Sequence, residues 1–251
     1  MNIVTIMNYP DVDNYNKMCT IFIDRVKLYN PGCNLFIIHK NDLPKAVLTC
    51  IDTHINIKTL RLEHDTDCWY DHHNVNFKLY NLTRLDQPFI FIDADIFCFS
   101  ALDHLWSLKD DQPFIGINHQ YVPGHTTTDF KFLNSGVQIV GDPDWYKYSN
   151  FKHAYQKCSG RLECKGFDQA HLFTYCKQTG YDYTHPGVGY GWNSCAKYGL
   201  VEILDDTSLC TYNAPSEDPE PDGYDVKLNH YWWDFKPWQI DCPLYRSYEQ
   251  R

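Results

Sequence analysis

Two aspartates separated by one residue stand at the end of a strongly apolar run. The run FIFI occupies residues 89–92, and Asp93, Ala94 and Asp95 follow it directly. Two carboxylates at the end of a buried strand are costly unless a cation neutralises them. All-oxygen ligation suits Mg²⁺ or Mn²⁺, and an added imidazole favours Mn²⁺. The pair therefore predicts a divalent metal site, with a structural turn as the simpler alternative.

A second group of chemically capable residues lies in the sequence NHYWWDFKPW at residues 229–238. His230 and Lys236 stand six positions apart there, among bulky aromatic side chains that would exclude water and strengthen any charge interaction. A neutral imidazole can ligate a metal ion, and an ammonium group can neutralise a phosphate. A packed histidine is the simpler interpretation of this segment alone, but the aspartate pair favours a shared site.

Alternating strands and helices must position these residues. Spacings of three and four between Val75, Leu79, Leu82 and Leu85 indicate an amphipathic helix just before the apolar run. The run itself fits a central strand buried on both faces, with its acidic end at the carboxyl edge of the sheet, where open α/β sheets bind ligands. Strands are predicted at 3–7, 35–39, 55–62, 89–97 and 136–140, and helices at 18–28, 74–85 and 168–177.

Length and charge restrict the classes of protein that fit. The 251 residues suffice for one α/β domain with a mainly parallel central sheet, at most with a small lobe. The formal net charge of −10 argues against a nucleic-acid polymer or a membrane surface as partner. Aromatic residues make up 16% of the chain, which suits platforms for sugar rings or nucleobases as well as ordinary core edges.

Cysteine usage and the N-terminal sequence bear on the compartment. The eleven cysteines include no C-x-x-C pair, which disfavours a zinc knuckle and favours reduced thiols. The start MNIVTIMNY does not resemble a signal peptide, and no apolar run approaches the length of a membrane span. We expect either a cytoplasmic enzyme or one domain of a longer protein. Residues 214–225 form the most disorder-prone segment.

Ordered sequence blocks give the chain a family resemblance. These blocks are IVTIMN with Tyr15, FKLYNL followed by FIFIDADIF, FLNSGVQIV, GFDQAHLF and the closing HYWWDFKPW. In this order, over residues 3–238, they resemble the retaining glycosyltransferases of family 8, the glycogenin and lipopolysaccharide galactosyltransferase family. The D-x-D motif alone is shared more widely, so the specificity of the resemblance depends on the whole set.

The resemblance implies a fold and an activity. The fold would be a single Rossmann-like GT-A domain over 1–251, with a nucleotide-binding part at about 1–100 and a donor-sugar and acceptor part at about 101–251. The activity would be transfer of a sugar, with retention of configuration, from a nucleotide-sugar to a glycan or protein acceptor. A UDP-sugar is the favoured donor, and Mn²⁺ or Mg²⁺ the implied cofactor.

The resemblance also assigns roles at the nucleotide and the metal. Asp93, Asp95 and His230 would ligate the metal ion, and Lys236 would contact the donor diphosphate. Thr5 and Asn8 would line the nucleotide, Tyr15 would stack on uracil, and Lys78 would contact the donor.

Other matched positions surround the reacting carbon. Asn134, Asp168 and Gln169 would lie around the donor sugar, where Asp168 and the Gln169 carbonyl could offer negative potential to the developing cation. The sequence shows no well-placed candidate for a covalent nucleophile. Front-face attack, with the leaving phosphate accepting the acceptor's proton, is therefore the favoured mechanism.

Two departures from the family pattern affect these assignments. Trp233 stands where the family has a glycine three residues after the histidine, so it would either line the sugar or acceptor pocket together with Trp232 and Trp238 or fill the core. The loop after Asn8 is longer than the family pattern, which makes Tyr9 a rival of Tyr15 for base stacking.

Two other functions compete with glycosyl transfer. Haloacid-dehalogenase-type phosphatases also place D-x-D after an apolar strand, but near the N-terminus and with Thr or Val after the second aspartate, whereas Ile96 follows here. A non-catalytic sugar-binding domain is the second alternative. It would be favoured by loss of a metal ligand or of the Asp168–Gln169 pair, and all of these are present.

Overall fold

The structure is a computed structural model, and it describes most but not all of the chain. The described residues are 1–9, 12–61, 75–117, 133–151, 167–188, 192, 194–195, 200–204, 209–213, 227–231, 236–239 and 242–248. For 75–77, 79, 167–170, 194–195, 200–204, 209–213 and 243 the description covers the backbone alone. The predicted disorder-prone segment 214–225 lies outside these ranges.

Strands and helices alternate along the first half of the chain, as the sequence predicts. The strands are β1 (Asn2–Met7), β2 (Asn34–His39), β3 (Ile57–Arg61), β4 (Phe89–Ile92), β5 (Ile96–Cys98), β6 (Phe114–Gly116), β7 (Val137–Val140), β8 (Ser194–Cys195), β9 (Leu200–Leu204), β10 (Leu209–Asn213) and β11 (Leu228–His230). The helices are α1 (Asp13–Tyr29), α2 (Lys45–Asp52), α3 (Val75–Leu82), α4 (Asp103–Ser107), α5 (Phe167–Thr179) and α6 (Pro243–Ser247).

A mixed but mainly parallel sheet forms the centre of the molecule. Among the described residues it has six strands in the order β3-β2-β1-β4-β7-β6. β1 pairs in parallel with β2 and with β4, with Ile3 beside Leu35 and Ile90. β7 runs antiparallel to both of its neighbours, so β6 points in the same direction as β4. The predicted α/β class is confirmed.

β4 is the buried central strand that the apolar run predicts. Ile90 and Ile92 pack into a core that includes Phe22 and Val26 of α1, on one face of the sheet. Phe89 and Phe91 pack into a second core on the other face, with residues of α5 such as Leu172. The alternation of side chains along a strand therefore buries every residue of β4.

The predicted continuous strand over 89–97 is in fact two strands in two sheets. After β4 the chain turns at Asp93, whose carbonyl oxygen accepts a hydrogen bond of 3.0 Å from the Ile96 N–H. β5 then pairs antiparallel with β11, which also pairs with β8. Two carboxylates within three residues favour this break, because a turn at the edge of the sheet lets them reach the ammonium groups of Lys78 and Lys236. The aspartates thus lie where the chain passes between two sheets.

Buried polar contacts fix α1 against this junction. The side chain of Asn30, just beyond α1, accepts a 2.8 Å hydrogen bond from the Leu102 N–H and donates one of 3.2 Å to the Val26 carbonyl. Arg25 donates a 3.0 Å bond to the carbonyl oxygen of Cys98, the last residue of β5.

None of the described helices is long and apolar enough to cross a membrane.

Candidate functional site

Backbone contacts on both sides hold the aspartate pair at the carboxyl end of β4. The Asp93 N–H donates a 2.8 Å hydrogen bond to the carbonyl oxygen of Gly136, just before β7. The Asp95 carbonyl oxygen accepts a 2.9 Å bond from the Tyr231 N–H, just after β11. The pair is thereby clamped between the main sheet and the smaller sheet.

His230 completes a cluster of three potential metal ligands. It is the last residue of β11 and is buried, and its Nε2 lies 3.4 Å from Oδ1 of Asp95. One ligand atom from each of Asp93, Asp95 and His230 lies within 4.8 Å of the other two. The structure therefore brings His230 to two aspartates that precede it by more than a hundred positions in sequence.

Two lysines neutralise the carboxylates. Lys78 of α3 donates 3.0 Å to Oδ1 of Asp93 and 2.9 Å to the carbonyl oxygen of Ser135. Lys236 donates 2.5 Å to Oδ2 of Asp95. Both lysine side chains are at least 87% buried, since their exposed fractions are 11% and 13%. Lys78 and Lys236, which the sequence placed at the donor, therefore sit at the aspartate pair.

The charge of Asp95 depends on these cationic neighbours. Burial by itself would raise the pKa of its carboxyl, but the charges and hydrogen bonds of His230 and Lys236 outweigh burial. The pKa of Asp95 therefore lies well below its usual range, and the carboxylate stays ionised at neutral pH.

The donor set fits a divalent metal ion. Two carboxylates and one imidazole are ligands that Mn²⁺ accepts, and Mg²⁺ prefers the oxygens. The three donors come from the ends of two different strands and are mostly buried, so their backbone positions are preorganised. A divalent ion held there would add its positive charge to that of the two ammonium groups of Lys78 and Lys236.

Gly136 is a part of this site that sequence reasoning missed. A Cβ at this position would lie 2.9 Å from Cε1 of His230 and 2.9 Å from Oδ1 of Asn134. Asn134 accepts a 2.9 Å hydrogen bond from the Gly136 N–H through the same oxygen. Asn134 therefore shapes the loop next to the metal ligands, and the NSG block before β7 was the available signal.

A pocket lined by aromatic rings lies beside the cluster. Tyr9 and Tyr15 stack with their ring centroids 4.9 Å apart and their planes 12° from parallel. Trp238 meets Tyr15 edge-on at 5.0 Å. Burial, followed by the charges of Asp95 and Asp93, raises the pKa of Tyr9 well above 10. Further residues lining the pocket are Met7, Asn16, Cys19, Asn41, Asp42, Leu43, Pro44 and Val47.

Tyr9 and Tyr15, the two candidates for stacking on the base, therefore line the same pocket. The structure does not distinguish between them, so each assignment stays a prediction. Trp238 is engaged with Tyr15 and, at 6.0 Å, with Tyr245.

The remaining predicted positions differ in how far the structure describes them. Thr5 is fully buried in β1, and its Oγ1 has no hydrogen-bond partner among the described residues. Asn8 is half-buried just after the end of β1. Asp168 and Gln169 lie in the first turn of α5, but their side chains are outside the description, as is Trp233. The roles of all these residues stay predictions.

Comparison with known proteins identifies the class of fold to which this structure belongs. No family model matches the chain, and no curated protein matches it in sequence. Solved structures do match, and among them are several glycosyltransferases, so the expected GT-A glycosyltransferase fold is confirmed.

Three structures show how far this likeness extends. The galactosyltransferase LgtC, in complex with donor and acceptor sugar analogs, is 16% identical, with a TM-score of 0.59 over 99% of this chain and 94% of LgtC. The glycosyltransferase GlyE of Streptococcus pneumoniae is 13% identical, with a TM-score of 0.58 over 99% of this chain and 59% of GlyE. Mouse xyloside xylosyltransferase 1 is 12% identical, with a TM-score of 0.58 over 94% of this chain and 99% of that enzyme.

Proposed function

We propose that this protein is a metal-dependent, retaining glycosyltransferase that moves a sugar from a UDP-sugar to a glycan or protein acceptor. The observation that carries the proposal is the cluster of Asp93, Asp95 and His230, with Lys78 and Lys236 bound to its carboxylates. It lies at the carboxyl edge of the sheet, where α/β folds bind nucleotides. The fold shared with LgtC, whose structure holds donor and acceptor sugar analogs, supports the same conclusion.

The charges of the cluster suit a diphosphate leaving group. A Mn²⁺ or Mg²⁺ ion held by Asp93, Asp95 and His230 would supply positive charge to the departing β-phosphate. Lys236 is well placed to add to that charge, because it already reaches Asp95. Its ammonium group would exchange a carboxylate oxygen for a phosphate oxygen when the donor binds. Lys78 would keep Asp93 oriented through the Ser135 carbonyl.

The proposed transfer takes place in one step, without a covalent intermediate between the sugar and the enzyme. The bond between the sugar C1 and the β-phosphate oxygen breaks, and its electron pair goes to the phosphate. The acceptor hydroxyl oxygen forms the new bond to C1 on the same face, and its proton passes to the leaving phosphate oxygen. Asp168 and the Gln169 carbonyl are proposed to face the cationic C1.

The phosphatase alternative gains no specific support from the site. Those phosphatases carry D-x-D near the N-terminus, whereas here the pair follows β4, well into the chain. A non-catalytic sugar-binding domain would keep the ligand contacts but would not turn over donor.

Calorimetry of UDP binding tests the metal dependence. UDP should bind much more tightly with Mn²⁺ than with EDTA, since the metal and Lys236 together neutralise the diphosphate. Equal affinity under both conditions would remove the metal from the mechanism.

Donor turnover tests the chemistry. A mass-spectrometric screen of UDP- and GDP-sugars with Mn²⁺ should show slow hydrolysis of one UDP-sugar, and tight binding without any hydrolysis would favour the non-catalytic domain. NMR coupling constants of the product should show retained configuration at C1, and an inverted product would reject the retaining mechanism.

A further inference from the structure

A second cluster of metal-ligating side chains lies on the outer side of α1, apart from the aspartate pair. Asp24 of α1, Cys50 of α2 and His54 just beyond α2 each place one ligand atom within 4.8 Å of the other two. Oδ1 of Asp24 lies 2.9 Å from Nε2 of His54 and 3.3 Å from Sγ of Cys50. The three donors are a carboxylate, an imidazole and a thiol.

The local structure explains why these side chains converge. Cys50 and His54 stand four residues apart, a spacing that puts both on one side of a helical turn. The backbone continues that turn past the end of α2, because the His54 N–H donates 3.1 Å to the Ile51 carbonyl. α1 packs against α2 and presents Asp24 to this side.

A fourth residue orients the carboxylate. The Tyr248 hydroxyl, next to α6, donates a 2.9 Å hydrogen bond to Oδ2 of Asp24, so that Oδ1 faces Cys50 and His54. A hydrogen bond to the distal oxygen of a ligating carboxylate is typical of metal sites in proteins. It also links the C-terminal part of the described chain to the cluster.

Charge distinguishes this cluster from the aspartate pair. Among the described residues, Asp24 has His54 as its ion-pair partner and no lysine or arginine. Arg25 and Lys27, which line the adjoining groove, are engaged with the carbonyl oxygens of Cys98 and Cys33. The Cys50 thiol donates its proton toward Asp24 in the metal-free site, and a divalent cation that displaced this proton would be held by a thiolate and a carboxylate with a combined charge of −2.

We propose that Asp24, Cys50 and His54 bind a zinc ion that fastens α2 to α1. Thiolate, imidazole and carboxylate together favour Zn²⁺ over Mg²⁺ or Mn²⁺. Zinc bonds of about 2.0–2.3 Å place tetrahedral ligands about 3.3–3.8 Å apart, so small shifts of the present side chains suffice. The Cys50 proton leaves to solvent on binding, and water fills the fourth position from the groove. This site does not depend on the proposed transferase activity.

Cobalt titration of the full chain tests the site. One equivalent of Co²⁺ should give tetrahedral d–d absorption together with a thiolate-to-cobalt charge-transfer band, and Zn²⁺ should bleach both. The ligands at the aspartate pair include no thiol, so the charge-transfer band reports on Cys50. Cys50→Ser should abolish that band, and the control variant Cys33→Ser, which removes another buried thiol, should retain it.

Two further variants keep the test decisive if Cys50→Ser does not fold. His54→Gln alters a side chain that is 24% exposed, and it should abolish the tetrahedral spectrum and the rise in melting temperature caused by Zn²⁺. Tyr248→Phe should weaken Co²⁺ binding by about 10- to 100-fold. No charge-transfer band in the unmodified protein, or an unchanged band in folded Cys50→Ser, would overturn the proposal.

Discussion

Asp95 joins the aspartate pair to the C-terminal part of the candidate site. Its carboxylate binds Lys236 and faces His230, and its carbonyl oxygen accepts the Tyr231 N–H. All of these partners come from the C-terminal part of the chain. The loss of its charge would therefore affect the metal ligands and the lysine together.

Asp95→Asn should lower sugar transfer by roughly 10²–10³-fold or more, because the site loses one of the charges that hold the cation. The variant should also melt at a lower temperature than the unmodified chain, since Lys236 and His230 lose their buried counter-ion. Initial rates with Mn²⁺ and circular dichroism measure the two effects. Asp103→Asn, at an exposed position, is the matched control and should change neither quantity.

Tyr15→Ala should weaken UDP binding about 5- to 150-fold, because stacking on a base contributes roughly 1–3 kcal/mol. Tyr15→Phe keeps the ring and should bind UDP nearly as well as the unmodified chain. Calorimetric Kd values for both variants measure the effect. If Tyr9→Ala shows the loss and Tyr15→Ala does not, the assignment within the stacked pair is reversed.

Residue types and spacing predicted the centre of the site but not its environment. D-x-D after an apolar run pointed to a cation, and H-x5-K brought His230 and Lys236 to the same carboxylate. Two features depend on how the loop before β7 returns to β4. One is the pairing of Lys78 with Asp93, and the other is the close approach of Gly136 to His230. No pattern in the local sequence predicts contacts between residues that are so far apart along the chain.

At the scale of elements, Gly136 sets the distance between β7 and β11. An added Cβ would lie 2.9 Å from the His230 ring and 3.1 Å from Cδ1 of Ile96. Gly136→Ala should therefore displace His230, lower the free energy of unfolding by about 1–3 kcal/mol and weaken Mn²⁺ binding. Urea denaturation and calorimetry measure both effects.

Gly32→Ala serves as the control for this prediction. Nothing lies within 4 Å of an added Cβ at Gly32, in the exposed turn after α1. Its free energy of unfolding should stay within about 0.5 kcal/mol of the unmodified value. Equal losses in the two variants would mean that contact with His230 is not the cause.

Elements that the sequence marks clearly were predictable, and weakly marked ones were not. β1, β2, α3 and α5 match their predicted positions within a few residues, and apolar runs mark β1 and β2 while helical spacing of apolar residues marks α3. α2 has no side-chain cap and β6 has only three residues, so packing rather than local preference determines both. The break between β4 and β5 escaped prediction because apolar residues flank the aspartates on both sides.

At the scale of the whole molecule, the thiols are part of the core. Six described cysteines are buried: Cys19, Cys33, Cys50, Cys98, Cys176 and Cys242. Burial raises the pKa of Cys98 to about 11 and that of Cys176 to about 12, from an ordinary value of 9.0. These thiols therefore remain protonated in the folded state at a pH at which an unfolded chain loses their protons.

This difference predicts a loss of stability in alkali. Below pH 9 the thiols are protonated in both the folded and the unfolded chain, so their full contribution to the free energy of unfolding is present. Between pH 9 and about 12 the unfolded chain binds fewer protons at Cys176, so the free energy of unfolding falls by about 1.4 kcal/mol per pH unit for this thiol. Urea denaturation between pH 8 and pH 11 should show a shallower decline in Cys176→Ala. Parallel declines in the two proteins would contradict the assignment.

The pairing of β5 with β11 also determines when the site first exists during synthesis. A chain grows from its N-terminus and begins to fold before it is complete. Asp93 is in place as soon as the main sheet forms, whereas His230 and Lys236, which hold Asp95, are among the last site residues to be made. A nascent chain that ends before β11 has the two carboxylates without the imidazole and the second ammonium. Under the proposed function, we expect such an incomplete chain to bind the donor more weakly than the complete one, so that synthesis of the C-terminal segment completes the binding site.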